Sequence, residues 1–187
     1  MIAAIMIAAA LLCAAMSGTA IALSAPSAGD EGEQVLATSR TSIGAIRLGP
    51  APTEISLGDD ALAKVAQWTG RAGASQRLYL VLDEVRARQQ PGILFEVYVD
   101  ATKGGAPHLD AAHLVGHISL FELRYPLLSF DVTERLKALV AREGPGGKLV
   151  VTIKPSTGGA DLSARRELRL ELEQADVTID RVRLVAQ

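Results

Sequence analysis

Three neighbouring segments decide the fold of this chain: Val97-Tyr98-Val99-Asp100, His117-Ile118-Ser119-Leu120-Phe121 and Leu128-Ser129-Phe130-Asp131-Val132-Thr133. Polar and apolar residues alternate along each segment, which is typical of strands that bury one face. In the first of these strands, the alternation predicts that Ile93, Phe95, Val97 and Val99 face inward. The third segment leads directly into a predicted short helix over residues 131–141, where Asp131 or Thr133 can cap the free backbone amides.

Further short strands are predicted on both sides of this block, and turn residues separate them. They cover residues 42–48, 53–57, 77–85, 148–154, 168–173 and 177–184, and the strand of the second segment in the block extends over residues 113–122. Residues 60–68 are compatible with one or two helical turns, and Gly116 marks a bulge or a close approach of the backbone. We therefore predict a mainly β chain, an antiparallel β-sandwich of about seven strands with one short helix.

The N-terminal segment differs from the rest because Met1 to Leu23 contains no charged residue. A helix of about 20 apolar residues spans the hydrocarbon core of a membrane. Two interpretations remain open for residues 1–25, a cleaved signal peptide and a retained membrane anchor, since the basic flank of a signal peptide is absent. Both predict an exported chain, periplasmic, extracellular or anchored to the outer face of a membrane. Residues 26–40 then form a predicted flexible linker, and residues 41–187 form the predicted sandwich domain.

Composition excludes several classes of function. The chain has 187 residues and a formal net charge of −2, so it lacks the excess of basic residues that nucleic-acid binding requires. Its single cysteine, Cys13, lies in the apolar N-terminal segment, and the domain therefore cannot be closed by an intramolecular disulfide. The strand-end carboxylates are interpreted as ordinary solvated charges; they are Asp83, Glu84, Asp100 and Glu122.

All three histidines of the chain lie within ten residues of one another, at His108, His113 and His117. Histidine binds zinc and copper, and His113 and His117, four residues apart, are expected to share a face. However, Asp110 is the only carboxylate close to them in the sequence. We therefore predict no catalytic residue and no metal site, and His108, His113 and His117 are the candidates should a metal bind.

A resemblance to a known protein family rests on the order and spacing of three segments. They are Phe95 to Asp100, Val115 to Phe121 and Phe130 to Thr133. Between about residue 77 and residue 184, the chain resembles the C-terminal β-domain of tyrosinases and polyphenol oxidases. One departure from the family pattern is Glu122, which replaces a glycine after Leu120-Phe121.

In the family that the chain resembles, the chemistry takes place in a separate helical domain that binds two copper ions through six histidines. The resemblance therefore implies an exported, non-catalytic domain that covers, stabilises or chaperones a copper oxidase, with copper required only in that partner. The residues expected to contact the partner are Leu94 and Tyr98 on one sheet face and Tyr125 in a loop. Two alternatives remain open: a fragment of a full tyrosinase whose copper domain is missing from the chain, and an unrelated exported β-sandwich binding module.

Overall fold

The alternating segments form strands in a computed structural model of the chain, which describes residues 33–39, 44–71, 76–121, 126–156 and 165–187. These residues belong to one compact unit, Glu31–Gln187. The elements follow in this order: β1 (Gln34–Thr38), β2 (Ile46–Leu48), β3 (Thr53–Ser56), α1 (Ala61–Thr69), β4 (Leu78–Asp83), β5 (Leu94–Thr102), β6 (Leu114–Ile118), β7 (Leu128–Asp131), α2 (Thr133–Glu143), β8 (Lys148–Ser156), α3 (Arg166–Ala175), β9 (Val177–Ile179) and β10 (Arg181–Ala186).

The strands form two four-stranded sheets and one small two-stranded sheet. The first large sheet has the order β1-β10-β4-β7 and the second has the order β3-β8-β5-β6, while β2 pairs with β9. Every pair of neighbouring strands is antiparallel. The predicted mainly β, antiparallel architecture is therefore confirmed.

The core lies between the two large sheets and is almost entirely aliphatic. Phe95, Val97 and Val99 of β5 are buried, as the alternation predicted, and they belong to one apolar cluster with Leu80 and Leu82 of β4. Helix α1 adds one apolar face to this cluster, formed by Leu62, Val65 and Trp68. Burial of these side chains is the main favourable term in folding, because it removes apolar surface from water.

Helix α2 begins and ends close to where the sequence predicts. The Asp131 carboxylate accepts a hydrogen bond from the Thr133 backbone N–H at 2.9 Å. The Thr133 hydroxyl makes a different contact, since it accepts the N–H of Leu78 at 2.8 Å and so ties the helix to β4. At the other end Gly144 adopts a φ of +70°, which favours glycine, and its N–H donates to the Val140 carbonyl at 2.9 Å.

The strand predicted over residues 168–173 is wrong, because this segment lies within helix α3. Its leucines alternate, but its charged residues are strong helix formers, and the helix buries Leu172 and Ala175 while Leu170 stays exposed. The described part of the chain thus contains three helices where one short helix was predicted.

The N-terminal boundary of the domain also differs from the prediction. Strand β1 lies within residues 26–40, which were predicted as a linker, and it pairs with β10 so that Leu36 and Ala37 are buried. The apolar segment Met1 to Leu23 lies outside the described residues. No helix among the described residues is long and apolar enough to cross a membrane.

Candidate functional site

One end of the sandwich contains the β4–β5 connection together with the described residues of the β6–β7 connection, 119–121 and 126–127. The Val85 N–H donates to the Pro126 carbonyl at 2.7 Å, and this hydrogen bond holds the two connections side by side. A groove runs between them. It is lined by Val85, Arg86, Ala87, Arg88, Gln89, Gln90, Leu120 and Pro126. We use the name end surface for this groove together with three apolar residues at the same end of the sandwich: Phe121 and Leu127, which follow the lining residues Leu120 and Pro126 in the chain, and Leu94 at the start of β5.

Most of the large exposed hydrophobic side chains in the described part of the chain lie on this end surface. Phe121 is 63% exposed, Leu127 is 51% exposed and Leu94 is 41% exposed. The others are Val35 on β1 and Leu170 on α3. Single exposed apolar residues are ordinary, but several at one end of a domain are typical of a contact surface for another protein.

Of the predicted partner-binding residues, Leu94 belongs to the end surface, whereas Tyr98 is buried on β5. The Tyr98 hydroxyl donates to Glu96 at 2.6 Å, and Lys154 Nζ lies 5.1 Å from the centre of the ring. Burial and the hydrogen bond to Glu96 raise the pKa of Tyr98. Tyr125 lies outside the described residues.

A second cluster is built around Asp100, near the C-terminal end of β5. Its side chain is almost fully buried, unlike the solvated charge that was predicted. Oδ1 accepts the Ala101 N–H at 2.8 Å, and Oδ2 accepts both the backbone N–H and the ring Nδ1 of His108, each at 2.8 Å. Burial alone raises the pKa of Asp100, but these hydrogen bonds outweigh it, so the pKa lies below its usual value.

His113 approaches Asp100 from the start of β6. Its Nδ1 lies 2.7 Å from Asp110 Oδ1, and its Nε2 lies 3.5 Å from Asp100 Oδ1. The guanidinium of Arg142, from α2, contacts both groups, with Nη2 3.2 Å from His113 Nε2 and 3.4 Å from Asp100 Oδ1. The hydrogen bond from His113 lowers the pKa of Asp110.

The structure separates the third histidine from this cluster. A β-bulge in the pairing of β5 with β6 places one extra residue between His113 and His117, so they do not share a face. His117 is exposed opposite Glu96, whereas His113 is 4% exposed. The rings of His108 and His113 stack, with centroids 5.2 Å apart.

Sequence reasoning missed two members of the cluster, Asp100 and Arg142. Asp100 is one of the residues that alternate along β5, and this pattern indicates a solvent-facing carboxylate as readily as a buried one. Arg142 is 42 residues away in the sequence and reaches the cluster only because α2 packs beside β5. No local signal points to that contact.

A protein-family model described as a domain of unknown function (DUF7868) matches residues 33–126, half of the chain. This chain belongs to the DUF7868 family. The matched part runs from the start of β1 to the groove residue Pro126, so it contains Asp100 and all three histidines. A search of curated protein sequences finds no match.

Among solved structures, this DUF7868 chain is similar to latent aurone synthase, a polyphenol oxidase. A recombinantly expressed form co-crystallised with hexatungstotellurate(VI) is 14% identical, with a TM-score of 0.46 over 78% of this chain and 25% of that chain. A second structure of recombinantly expressed latent aurone synthase is 13% identical, with a TM-score of 0.43 over 80% of this chain and 28% of that chain. The DUF7868 chain therefore spans about a quarter of the length of the polyphenol oxidases it matches.

Proposed function

We propose that this DUF7868 domain is an exported, non-catalytic module that docks through its end surface on the copper-binding domain of a polyphenol oxidase-type enzyme and stabilises it. The observation that carries this proposal is the exposure of Phe121, Leu127 and Leu94 at one end of the sandwich. The nature of the partner rests on the sequence resemblance to the β-domain of tyrosinases, in the segments that form β5, β6 and the start of α2.

The end surface combines the features of a protein contact site. Its three apolar residues lie at the same end of the sandwich as a groove that contains the arginine and glutamine side chains of residues 86–90. Arg86 is paired with Glu84, and Gln90 Nε2 donates to the Leu120 carbonyl at 3.5 Å. Exposed apolar side chains beside polar groups that can form hydrogen bonds are a usual composition of interfaces between proteins.

The partner has to supply the chemistry in this proposal. A pair of copper ions with three imidazoles each needs six histidines, and this chain contains three. We expect the purified full-length chain to show no oxidation of catechol when incubated with copper. Stoichiometric binding of two coppers together with turnover would contradict the proposal and would favour an oxidase in its own right.

Co-purification from the native host tests docking. We expect the wild-type chain to retain a protein that carries a histidine-rich dicopper domain, identified by mass spectrometry. The double variant Phe121→Ser/Leu127→Ser should retain at least about ten-fold less of it, because removing apolar anchors from the centre of an interface costs most of its affinity.

Val35→Ser is the matched control, since Val35 is a large exposed apolar residue on β1, away from the end surface. This variant should retain the oxidase as well as the wild-type chain does. Equal retention by the double variant would remove the end surface as the docking site. Absence of any oxidase among the retained proteins would remove the proposed partner.

A further inference from the structure

We propose that Asp100, His108 and His113 bind a divalent ion of the Zn²⁺ class, at a position between Asp100 and His113 and next to the Arg142 guanidinium. This site lies apart from the end surface, and it does not rest on the proposed docking function. One ligand atom from each of the three residues lies within 4.8 Å of the other two.

The donor set fits this class of metal ion, because Zn²⁺ binds imidazole nitrogens and carboxylate oxygens. Ligand atoms on a tetrahedral Zn²⁺ lie about 3.3–3.4 Å apart when the bonds measure about 2.0–2.1 Å. Asp100 Oδ2 lies 2.8 Å from His108 Nδ1, and the other carboxylate oxygen, Oδ1, lies 3.5 Å from His113 Nε2; the two distances fall on either side of that separation. The His108 side chain is 66% exposed in the β5–β6 loop, and its ring has to give up the hydrogen bond from Nδ1 to Asp100 before a ring nitrogen can bind the ion.

His113 is held in the orientation of a metal ligand. Its Nδ1–H donates to Asp110 Oδ1 at 2.7 Å, which leaves the lone pair of the neutral ring on Nε2, directed toward Asp100. Metal-binding histidines usually donate their second ring N–H to a carboxylate in this way, which sets the tautomer and the ring direction. Asp110 is therefore a positioning residue for the site.

The position of Arg142 marks where a cation is favoured. The lone pair of His113 Nε2 and the Asp100 carboxylate are both acceptors, and the guanidinium lies 3.2 Å and 3.4 Å from them. The Arg142 side chain is half exposed, and its Nε donates to Glu143 at 2.9 Å. It can therefore withdraw toward Glu143 when a metal ion binds, and its charge opposes metal binding while it stays.

Equilibrium dialysis of the untagged, full-length chain against Zn²⁺, with metal analysis, tests the site. We expect one Zn²⁺ per chain at micromolar concentrations and no Ca²⁺, which prefers sites made of oxygen ligands. Because His113 is buried, two variants of exposed residues carry the test. His108→Ala removes a ligand and Asp110→Asn removes the orienting carboxylate, and each should weaken Zn²⁺ binding at least about ten-fold.

Two further variants separate a metal site from a purely structural hydrogen-bond network. Arg142→Gln should bind Zn²⁺ several-fold more tightly, because it removes the competing positive charge while retaining a polar side chain. His117→Ala is the matched control and should bind as the wild type does. No Zn²⁺ on the wild-type chain, unchanged binding by His108→Ala, an equal loss in His117→Ala, or no gain in Arg142→Gln would each overturn the proposal.

Discussion

Gly116 shows how a single residue allows the two sheets to meet. It lies on β6, and a Cβ atom at this position would stand 2.5 Å from two ring carbons of Phe130 on β7. Strands β6 and β7 are edge strands of different sheets, so this contact closes one side of the sandwich. A side chain at residue 116 would force the Phe130 ring, and the strand that carries it, to move.

We predict that Gly116→Ala lowers the free energy of unfolding by about 1–3 kcal/mol, the usual cost of overpacking a fitted interior. Urea denaturation of the two proteins measures this difference. Adding Phe130→Leu to the variant should recover part of the loss, since a smaller side chain leaves room for the methyl group. Gly146→Ala is the control, because a Cβ atom there meets nothing within 4 Å; an equal loss in both variants would contradict the steric explanation.

At the scale of elements, α3 illustrates how one segment can satisfy two periodicities. Leu168, Leu170 and Leu172 alternate as in a strand, while Leu168, Leu172 and Ala175 recur as along one face of a helix. The helix is formed, and Leu172 is 1% exposed whereas Leu170 is 44% exposed. The Arg88 N–H donates to the Ala175 carbonyl at 2.8 Å, which connects the end of α3 to the β4–β5 connection.

The helical assignment predicts unequal effects of two neighbouring substitutions. Leu172→Ala should destabilise the protein by about 2–5 kcal/mol because it leaves a cavity in the core. Leu170→Ala should change stability by less than about 0.5 kcal/mol, since its side chain is largely in solvent. Chemical denaturation of both variants measures the difference. Similar losses would instead favour a strand, in which residues 170 and 172 share one face.

At the scale of the whole molecule, the Glu96 carboxylate contacts three polar side chains, those of Tyr98, Lys154 and Ser156. These residues lie on the face of β5 and β8 that points away from the core. Burial alone raises the pKa of Glu96, but hydrogen bonds from Tyr98, Ser156 and Lys154 outweigh it and lower the pKa below its usual value. The folded state therefore holds fewer protons than the unfolded state near pH 4, and folding becomes less favourable as the pH decreases.

We predict that the free energy of unfolding decreases from about pH 5 toward pH 3, the range in which unfolded glutamates take up protons. Glu96→Gln should show a smaller decrease over this range, and Ser156→Ala, which removes one hydrogen bond to Glu96, should be intermediate. Urea denaturation at a series of pH values gives these slopes. An identical slope for Glu96→Gln and the wild type would show that Glu96 does not contribute.

The sequence by itself determined most of the strands and their buried faces, because the alternation of a strand is a local property. Phe95, Val97 and Val99 are buried as predicted. Helix α2 ends at Gly144 because this residue adopts a positive φ, which favours glycine. The one segment with two possible periods, residues 168–173, was predicted wrongly, because only packing against the core decides which of its leucines is buried.

Only the tertiary structure decided the sites, because their members are distant in the sequence. The contact between Asp100 and Arg142 requires α2 to pack beside β5, and the bulge in β6 directs His113 away from the face of His117. The end surface likewise depends on hydrogen bonds between two separate connections, such as that from Val85 to Pro126. The local sequence pattern indicates whether a residue is buried or exposed. Contacts between side chains of different elements depend instead on how those elements pack together.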